Sequence, residues 1–303
     1  MLAVSGRVQD SRRGIGSDTF SFGKNMKRIS RLLVLSIVVF AAVSARAQDK
    51  ATRAPKDDPA AVAAFKDAGK YKRCERNANG NVISVNLSAI MLAYNPKRYR
   101  LHLQCLKNLK GFPELRKVVT MTDYPAEELD YIAELGNLET LEIHDTQLTD
   151  RDLIAIEGMA SLKRLSLNGN CRMTDASLEF LAGMKSLEDL DLSSSAIRGT
   201  GLGWLKGLKN LKKLDLSGTK LGDAQMAHVA GLANLEELNL NATNITPNSL
   251  GQLSRLTKLK RLTLLDTRIR EADTVALKKS LPKLTIKLSS TRPSRGPTER
   301  CLP

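Results

Sequence analysis

The sequence predicts an α/β solenoid: a curved stack of repeats with a parallel β-sheet on its concave face and short helices on its convex face. A frame Leu-x-x-Leu-x-Leu/Ile recurs six times, its first leucines lie 24 or 25 residues apart, and each copy leads into apolar residues at helical spacing. A fixed period in this range is typical of a solenoid, because each unit buries its apolar face only against its neighbours. The first leucines are Leu138, Leu162, Leu187, Leu211, Leu235 and Leu259.

Each frame predicts one strand. In the first copy Leu141 and Ile143 are two residues apart, which is the period of a strand with one buried face. The residues between and beside them then point to the exposed face. A shorter last copy, with Leu281, Leu284 and Ile286, is expected to continue the sheet.

Three residues after each strand comes a small residue that can form hydrogen bonds. The column is Thr146, Asn170, Ser195, Thr219, Thr243 and Thr267. Here the backbone leaves the strand and its polar groups need partners. We interpret the column as a structural ladder, since a hydroxyl repeated without a nearby base is not an activated nucleophile.

A short helix is predicted after each column. Leu153 and Ile156 are spaced as on a helix, and Thr246-Pro247 combines an N-cap residue with a proline at the first helical position. Each unit is therefore expected to run strand, turn, short helix, turn.

The exposed strand positions are the candidate binding residues on the concave face. They are Glu142, His144, Arg164, Asn168, Asp189, Asp191, Lys213, Asp215, Glu237, Asn239 and Arg261. Asp191 and Asp215 are expected on adjacent strands, about 4.8 Å apart by sheet spacing. Two like charges at this distance favour the binding of a cation or a basic partner. The alternative is that the two aspartates pair with Lys213 or are solvated.

The N-terminal region resembles a secretory signal. A basic stretch at 26–31 precedes a short apolar run at 32–43 and small residues at Ala45 and Ala47, so cleavage after Ala47 and export to the periplasm, envelope or medium are expected. The run is short for a membrane span; an uncleaved signal anchor is the only membrane contact expected. Residues 1–25 are interpreted as a non-native or disordered extension, which leaves open whether the chain starts at Met1 or Met26.

The remaining chain divides by pattern. Residues 48–78 are a polar leader with a short helix, 79–135 an N-terminal cap with degenerate repeats, 136–288 the repeat array, and 289–303 a disordered tail. The net charge is +15. Residues 1–47 contribute +6 of it and residues 136–288 only +3, so a nucleic-acid partner is not expected.

The sequence offers few candidates for a disulfide, a metal site or a catalytic site. Cys74 and Cys105 both fall in or beside the cap and are a candidate disulfide, while Cys171 is interpreted as a small packed residue. No zinc-ligand spacing, nucleophile elbow or phosphate loop occurs in the sequence, so no cofactor, no metal and no enzymatic activity are expected. Trp204, the only tryptophan, is expected to pack between helices, with an exposed anchor as the alternative.

The repeat resembles the leucine-rich repeat family, closest to its cysteine-containing, ribonuclease-inhibitor-like subclass. Leu162 to Asp175 follows that consensus, with Asn170 in the place of its cysteine. The other copies have Thr or Ser there and are one residue shorter, a variant that resembles exported bacterial leucine-rich repeat proteins. The resemblance implies the fold but does not specify the function.

These observations favour an exported, non-catalytic module that binds a protein or a glycan. The first alternative is a substrate-recognition adaptor, since the subclass resembles the repeat arms of ubiquitin ligases. The second is a purely structural scaffold of the envelope.

Overall fold

The computed structural model describes residues 56–70, 73–88, 96–121, 125–144 and 146–289. Within them ten strands form one sheet in chain order, with β1 antiparallel to β2 and every later pair parallel. The predicted parallel sheet is confirmed. The strands are β1 (Glu75–Arg76), β2 (Val82–Asn86), β3 (Lys117–Thr120), β4 (Thr140–Ile143), β5 (Arg164–Ser166), β6 (Asp189–Asp191), β7 (Lys213–Asp215), β8 (Glu237–Asn239), β9 (Arg261–Leu264) and β10 (Thr285–Leu288).

The middle leucine of each frame aligns with its counterparts across the sheet. Leu141, Leu165, Leu190, Leu214, Leu238 and Leu262 are successive register partners. All six are at most 2% exposed. The repeat spacing thus places one apolar residue above the next, and the stacked leucines form a continuous core.

Short helices cover the other side of this core. The α-helices are α1 (Pro59–Asp67), α2 (Pro96–Lys107), α3 (Pro125–Ala133), α4 (Met226–Ala230), α5 (Leu250–Leu253) and α6 (Val275–Ser280). The 3-10 helices are Leu109–Gly111, Asp150–Ile156, Asp175–Glu179, Thr200–Gly207, Asp223–Gln225, Pro247–Ser249 and Glu271–Thr274. Thr246 caps the helix predicted after it by accepting a hydrogen bond from Asn248 N. None of the helices in these ranges is long and apolar enough to cross a bilayer.

The helix at 200–207 packs very closely on the preceding repeat. A Cβ atom at Gly201 would lie 2.2 Å from the backbone oxygen of Asp175, whereas one at Gly203 would meet nothing nearer than 3.6 Å. The Asp175 carboxylate also accepts hydrogen bonds from Gly199 N and Gly201 N. Trp204, on the same helix, is 51% exposed, so the expectation that it is packed between helices is wrong.

The N-terminal part of the sheet is closed by α1 and a hairpin. Asp58 caps α1 through Ala60 N at 2.8 Å, and Phe65 of that helix meets Phe112 edge to face, with ring centroids 5.0 Å apart. β2 continues into the parallel sheet through β3. The predicted signal at 26–47, the extension at 1–25 and almost all of the predicted tail lie outside the described residues.

Candidate binding surface on the sheet

The exposed side of strands β3 to β10, here called the sheet face, carries three columns of side chains. The first column runs across register partners from Lys117 through Thr140 and Arg164 to Thr285. Between them lie Asp189, Lys213, Glu237 and Arg261. Charges of opposite sign therefore alternate from strand to strand.

Ion pairs join neighbouring strands along this column. Arg164 contacts Asp189, and Glu237 is shared between Lys213, at 3.1 Å, and Arg261. Burial would raise the pKa of Glu237, but its hydrogen bonds from Arg261 and Lys213 outweigh this and hold the pKa below its usual range. At Asp189 burial dominates over the attraction of Arg164 and Lys213, and the pKa is raised.

Glu142 is the centre of a second charged group, on β4. Its side chain is only 16% exposed and lies 3.0 Å from Lys117 Nζ, 3.4 Å from Arg164 Nε and 3.6 Å from His144 Nε2. Burial raises its pKa, but the hydrogen bond and charge of Lys117 and the charge of Arg164 outweigh burial, so the pKa is lowered. Lys117 lies in the cap, where the sequence offers no regular repeat to mark it as a sheet-face residue.

Asp191 and Asp215 are register partners in the central column. Asp191 accepts hydrogen bonds from Ser193 N and Oγ, at 2.9 and 2.5 Å, and from Ser166 Oγ. Asp215 accepts from the corresponding groups of Ser217 and from Asn239 Nδ2 at 2.7 Å. Lys213 pairs with Glu237 instead of with these aspartates, so the expected lysine partner is replaced by hydroxyl and amide donors.

The third column is polar and joined in the same way. Asn168 Nδ2 donates to Ser193 Oγ at 2.5 Å, and Asn241 Oδ1 accepts from Leu265 N at 2.7 Å. His144 begins this column beside Glu142. Because Phe, Tyr and Trp are absent from the sheet-face columns over the described strands, the aromatic anchors typical of protein interfaces are missing here.

A depression of about 280 Å³ lies on the sheet face over β6 to β10. Its charged lining residues are three acids and three bases: Asp189, Asp215, Glu237, Lys213, Arg261 and Lys287. Thr285 and Lys287, on the last strand, were missed among the sequence candidates because the final repeat is truncated. The regular Thr-Ile-Lys-Leu alternation of that strand is the signal that marks them.

The polar column after each strand is buried, at 0 to 4% exposure. Four of its hydroxyls donate to the backbone oxygen three residues earlier: Ser195 to Leu192, Thr219 to Leu216, Thr243 to Leu240 and Thr267 to Leu264. Asn170 Nδ2 donates to Ile143 O and Leu167 O, and Asn170 Oδ1 accepts from Thr146 Oγ1. These side chains satisfy backbone groups inside the fold and have no access to a substrate.

A serine-histidine-aspartate arrangement is not formed by the sheet-face residues that the structure describes. Ser195 is 1% exposed and bonds to a backbone oxygen, and Ser193 bonds to Asp191 rather than to a histidine. Asp145, beside His144, lies outside the described residues. Across the described ranges, no group of three or more His, Cys, Asp or Glu side chains is placed to hold a metal ion.

Cys74 and Cys105, the candidate disulfide, are both free and buried in the structure. Their sulfur atoms face different backbone oxygens, of Lys70 and of Ala64. Burial raises the pKa of Cys74 to about 11 and that of Cys105 to about 12. Cys171, interpreted from sequence as a small packed residue, is disulfide-bonded.

Comparison with known proteins supports the repeat assignment. Residues 171–221 and residues 158–182 match two family models, each described as a leucine rich repeat. No curated protein matches the chain significantly. The segment at 158–221 therefore consists of leucine-rich repeats, and the fold is a leucine-rich repeat solenoid.

Several solved structures resemble the chain. Internalin C2 of Listeria monocytogenes is 23% identical over 77% of this chain and 93% of its own, with a TM-score of 0.46. A leucine-rich repeat protein of Leptospira interrogans is 25% identical, covering 60% of this chain and 45% of its own, with a TM-score of 0.46. A second Listeria monocytogenes internalin is 19% identical, covering 62% and 57%, with a TM-score of 0.43. The chain spans about half the length of the last two proteins.

Proposed function

We propose that this leucine-rich repeat chain is an exported, non-catalytic binding module whose sheet face recognises a segment of another protein. The observation that carries the proposal is the depression over β6 to β10, which combines three acidic and three basic side chains. A polyanion such as nucleic acid is repelled by acidic side chains and favours a basic lining, whereas a polypeptide surface presents both signs. A mixed lining therefore favours a protein partner, with a glycan as the alternative.

The side chains of this surface are held in place before a partner arrives. Lys213 and Arg261 are fixed by Glu237, and Asp215 is fixed by Ser217 and Asn239. Exposed ion pairs contribute only about 0 to 1 kcal/mol each, so a partner's charges can replace them at small cost. Pre-ordered side chains also lose less conformational entropy on binding.

The polar character of the face sets the kind of binding. Without aromatic anchors in the columns, affinity depends on charge and hydrogen bonding, so we expect it to fall as ionic strength rises. The proposed export rests on the signal pattern at 26–47. Amino-terminal sequencing of protein from the envelope fraction tests export separately: a start at Gln48 supports it, and an uncleaved cytosolic chain contradicts it.

Photo-crosslinking from within cells tests the binding surface. A benzophenone amino acid at Thr263, in the depression, is expected to give a discrete protein adduct, and the same group at Ile154, 52% exposed outside the sheet face, is not. Lys213→Glu should abolish the Thr263 adduct, whereas Lys209→Glu, at an exposed position outside the depression, should retain it. Equal adducts from both faces, or none from Thr263, would overturn the proposal. An adduct without foreign peptides would indicate the glycan.

A further inference from the structure

Charge is divided unevenly along the array. Residues 136–254 contain 11 Lys/Arg and 15 Asp/Glu, whereas residues 255–289 contain ten Lys/Arg and three Asp/Glu. The small net charge of the whole array is therefore the sum of an acidic part, residues 136–254, and a strongly basic part, residues 255–289. A surplus of seven positive charges within 35 residues produces a local field that the average does not show.

Most of the basic groups in the last repeat have no acidic partner. Glu271 pairs with Lys278 at 3.0 Å, whereas Lys279, Lys283 and Lys287 are exposed and form no ion pair within the described part of the chain. These three lysines lie on α6, on the connection after it and on β10. Of the three, only Lys287 lines the depression on the sheet face.

Apolar groups lie among these lysines. Val275 is 64% exposed and precedes Lys279 by four residues, so both lie on the same side of α6. On β10, Ile286 and Leu288 are only partly buried, whereas their counterparts on earlier strands are fully buried. In the described sheet, β10 pairs with β9 alone. The end of the array thus combines incompletely covered apolar groups with unpaired cations.

We propose that this C-terminal end, defined by Val275, Lys279, Lys283 and β10, docks on an anionic lipid surface. Lysines beside an acidic bilayer gain affinity from its surface potential, and exposed apolar groups among them enter the headgroup region. The combination of unpaired lysines with incompletely covered apolar groups matches a bilayer surface, whereas a nucleic acid offers the apolar groups no apolar medium to enter. This inference does not depend on the proposed protein-binding role of the depression.

Vesicle sedimentation with the full chain tests the proposal. Binding is compared between vesicles of phosphatidylcholine with 30% phosphatidylglycerol and vesicles of phosphatidylcholine alone. The variant Lys279→Glu/Lys283→Glu is matched by Lys206→Glu/Lys209→Glu, which makes the same change of net charge at exposed, unpaired lysines in the body of the array. Removing one lysine near an anionic surface is expected to lower the partition coefficient roughly fivefold. The first variant should therefore bind anionic vesicles at least tenfold more weakly, and the control within about twofold of the unsubstituted chain.

The outcomes are distinct. An equal loss of vesicle binding in both double variants would show a response to net charge only and would overturn the proposal. No loss in either variant would also overturn it and would assign vesicle binding to the basic and apolar segment at 26–47. Circular dichroism establishes that each variant is folded, and Lys279→Gln/Lys283→Gln provides a milder replacement if reversal unfolds the chain. Binding of a DNA duplex through the same lysines, with no vesicle binding, would also overturn the lipid assignment. The vesicle test is independent of the proposed protein-binding function, so failure of the Thr263 crosslink would not bear on it.

Discussion

Asp191 and Asp215 lie side by side as register partners on adjacent parallel strands, yet each carboxylate accepts hydrogen bonds from nearby hydroxyl and amide groups. Like charges at strand spacing repel each other. Here each aspartate instead organises the turn after its strand, because Ser193 N and Ser217 N donate to the carboxylates two residues earlier. The pair therefore shapes the sheet face through these hydrogen bonds.

Substitution at Asp191 separates hydrogen bonding from charge. Asp191→Asn keeps an acceptor for Ser193 N, so the free energy of unfolding should change by less than about 1 kcal/mol. Asp191→Ala leaves that donor without its partner and should lower the free energy of unfolding by about 2 kcal/mol. Urea unfolding measures both; a more stable Ala variant would show that repulsion between the aspartates dominates.

The buried ladder makes a prediction at Thr219. Thr219→Val keeps the shape but removes the hydroxyl that donates to Leu216 O, so unfolding should require about 1 to 2 kcal/mol less. Thr285→Val, at an exposed position on the edge strand, is the matched control and should change stability by less than about 0.5 kcal/mol. Equal effects in the two variants, measured by denaturant titration, would contradict a structural role for the ladder.

Two glycines on one helix make a paired prediction. Gly201→Ala forces a Cβ atom against the Asp175 oxygen, and the required backbone shift should cost about 2 to 3 kcal/mol. Gly203→Ala meets only ordinary contacts and should be neutral or slightly stabilising, by up to about 1 kcal/mol. Thermal unfolding of both proteins tests the close packing directly. Similar melting temperatures would mean that the helix at 200–207 can move away from its neighbour.

Glu142 gives the array a pH-dependent contribution to stability. Its pKa is lowered in the folded state, so its interactions with Lys117 and Arg164 stabilise the fold above the unfolded pKa of about 4.3 and are lost as pH falls through the folded pKa. Glu142→Gln should therefore cost about 1 kcal/mol at pH 7 and progressively less as the pH falls below 4. Urea titrations at several pH values measure this, with Glu179→Gln, at a glutamate without an ion pair in the described structure, as the control substitution; a cost of Glu142→Gln that stays the same from pH 7 to pH 3 would contradict the assignment.

The thiols of Cys74 and Cys105 are expected to be protected in the native chain. They are 7% and 0% exposed, and burial raises the pKa of each, so iodoacetamide at pH 7.5 should not label them. After denaturation without reductant, both should be labelled, as counted by mass spectrometry. Labelling that requires reductant would show that the two cysteines pair after all.

The strands and the ladder could be predicted because the same sequence pattern recurs in every repeat. Leu141, Thr146 and their counterparts occupy positions whose environment the repeat fixes, so residue type and spacing suffice. The partner choices on the sheet face could not be predicted, because the contacts of long side chains such as Lys213 and Arg164 depend on rotamers. β1 could not be predicted, because its two residues are both exposed and show no apolar alternation. The exposure of Trp204 could not be predicted either, because it depends on how closely two repeats approach each other.

The uniform pairing of the parallel strands has a consequence for how such a chain can evolve. Each 24-residue unit pairs with its two neighbours in the same leucine register, while its ladder hydroxyl bonds within the unit. Duplication or deletion of one whole unit would present the flanking repeats with equivalent partners. The length of the recognition surface can therefore change in steps of one strand, while a shift of a single residue would turn the core leucines outward.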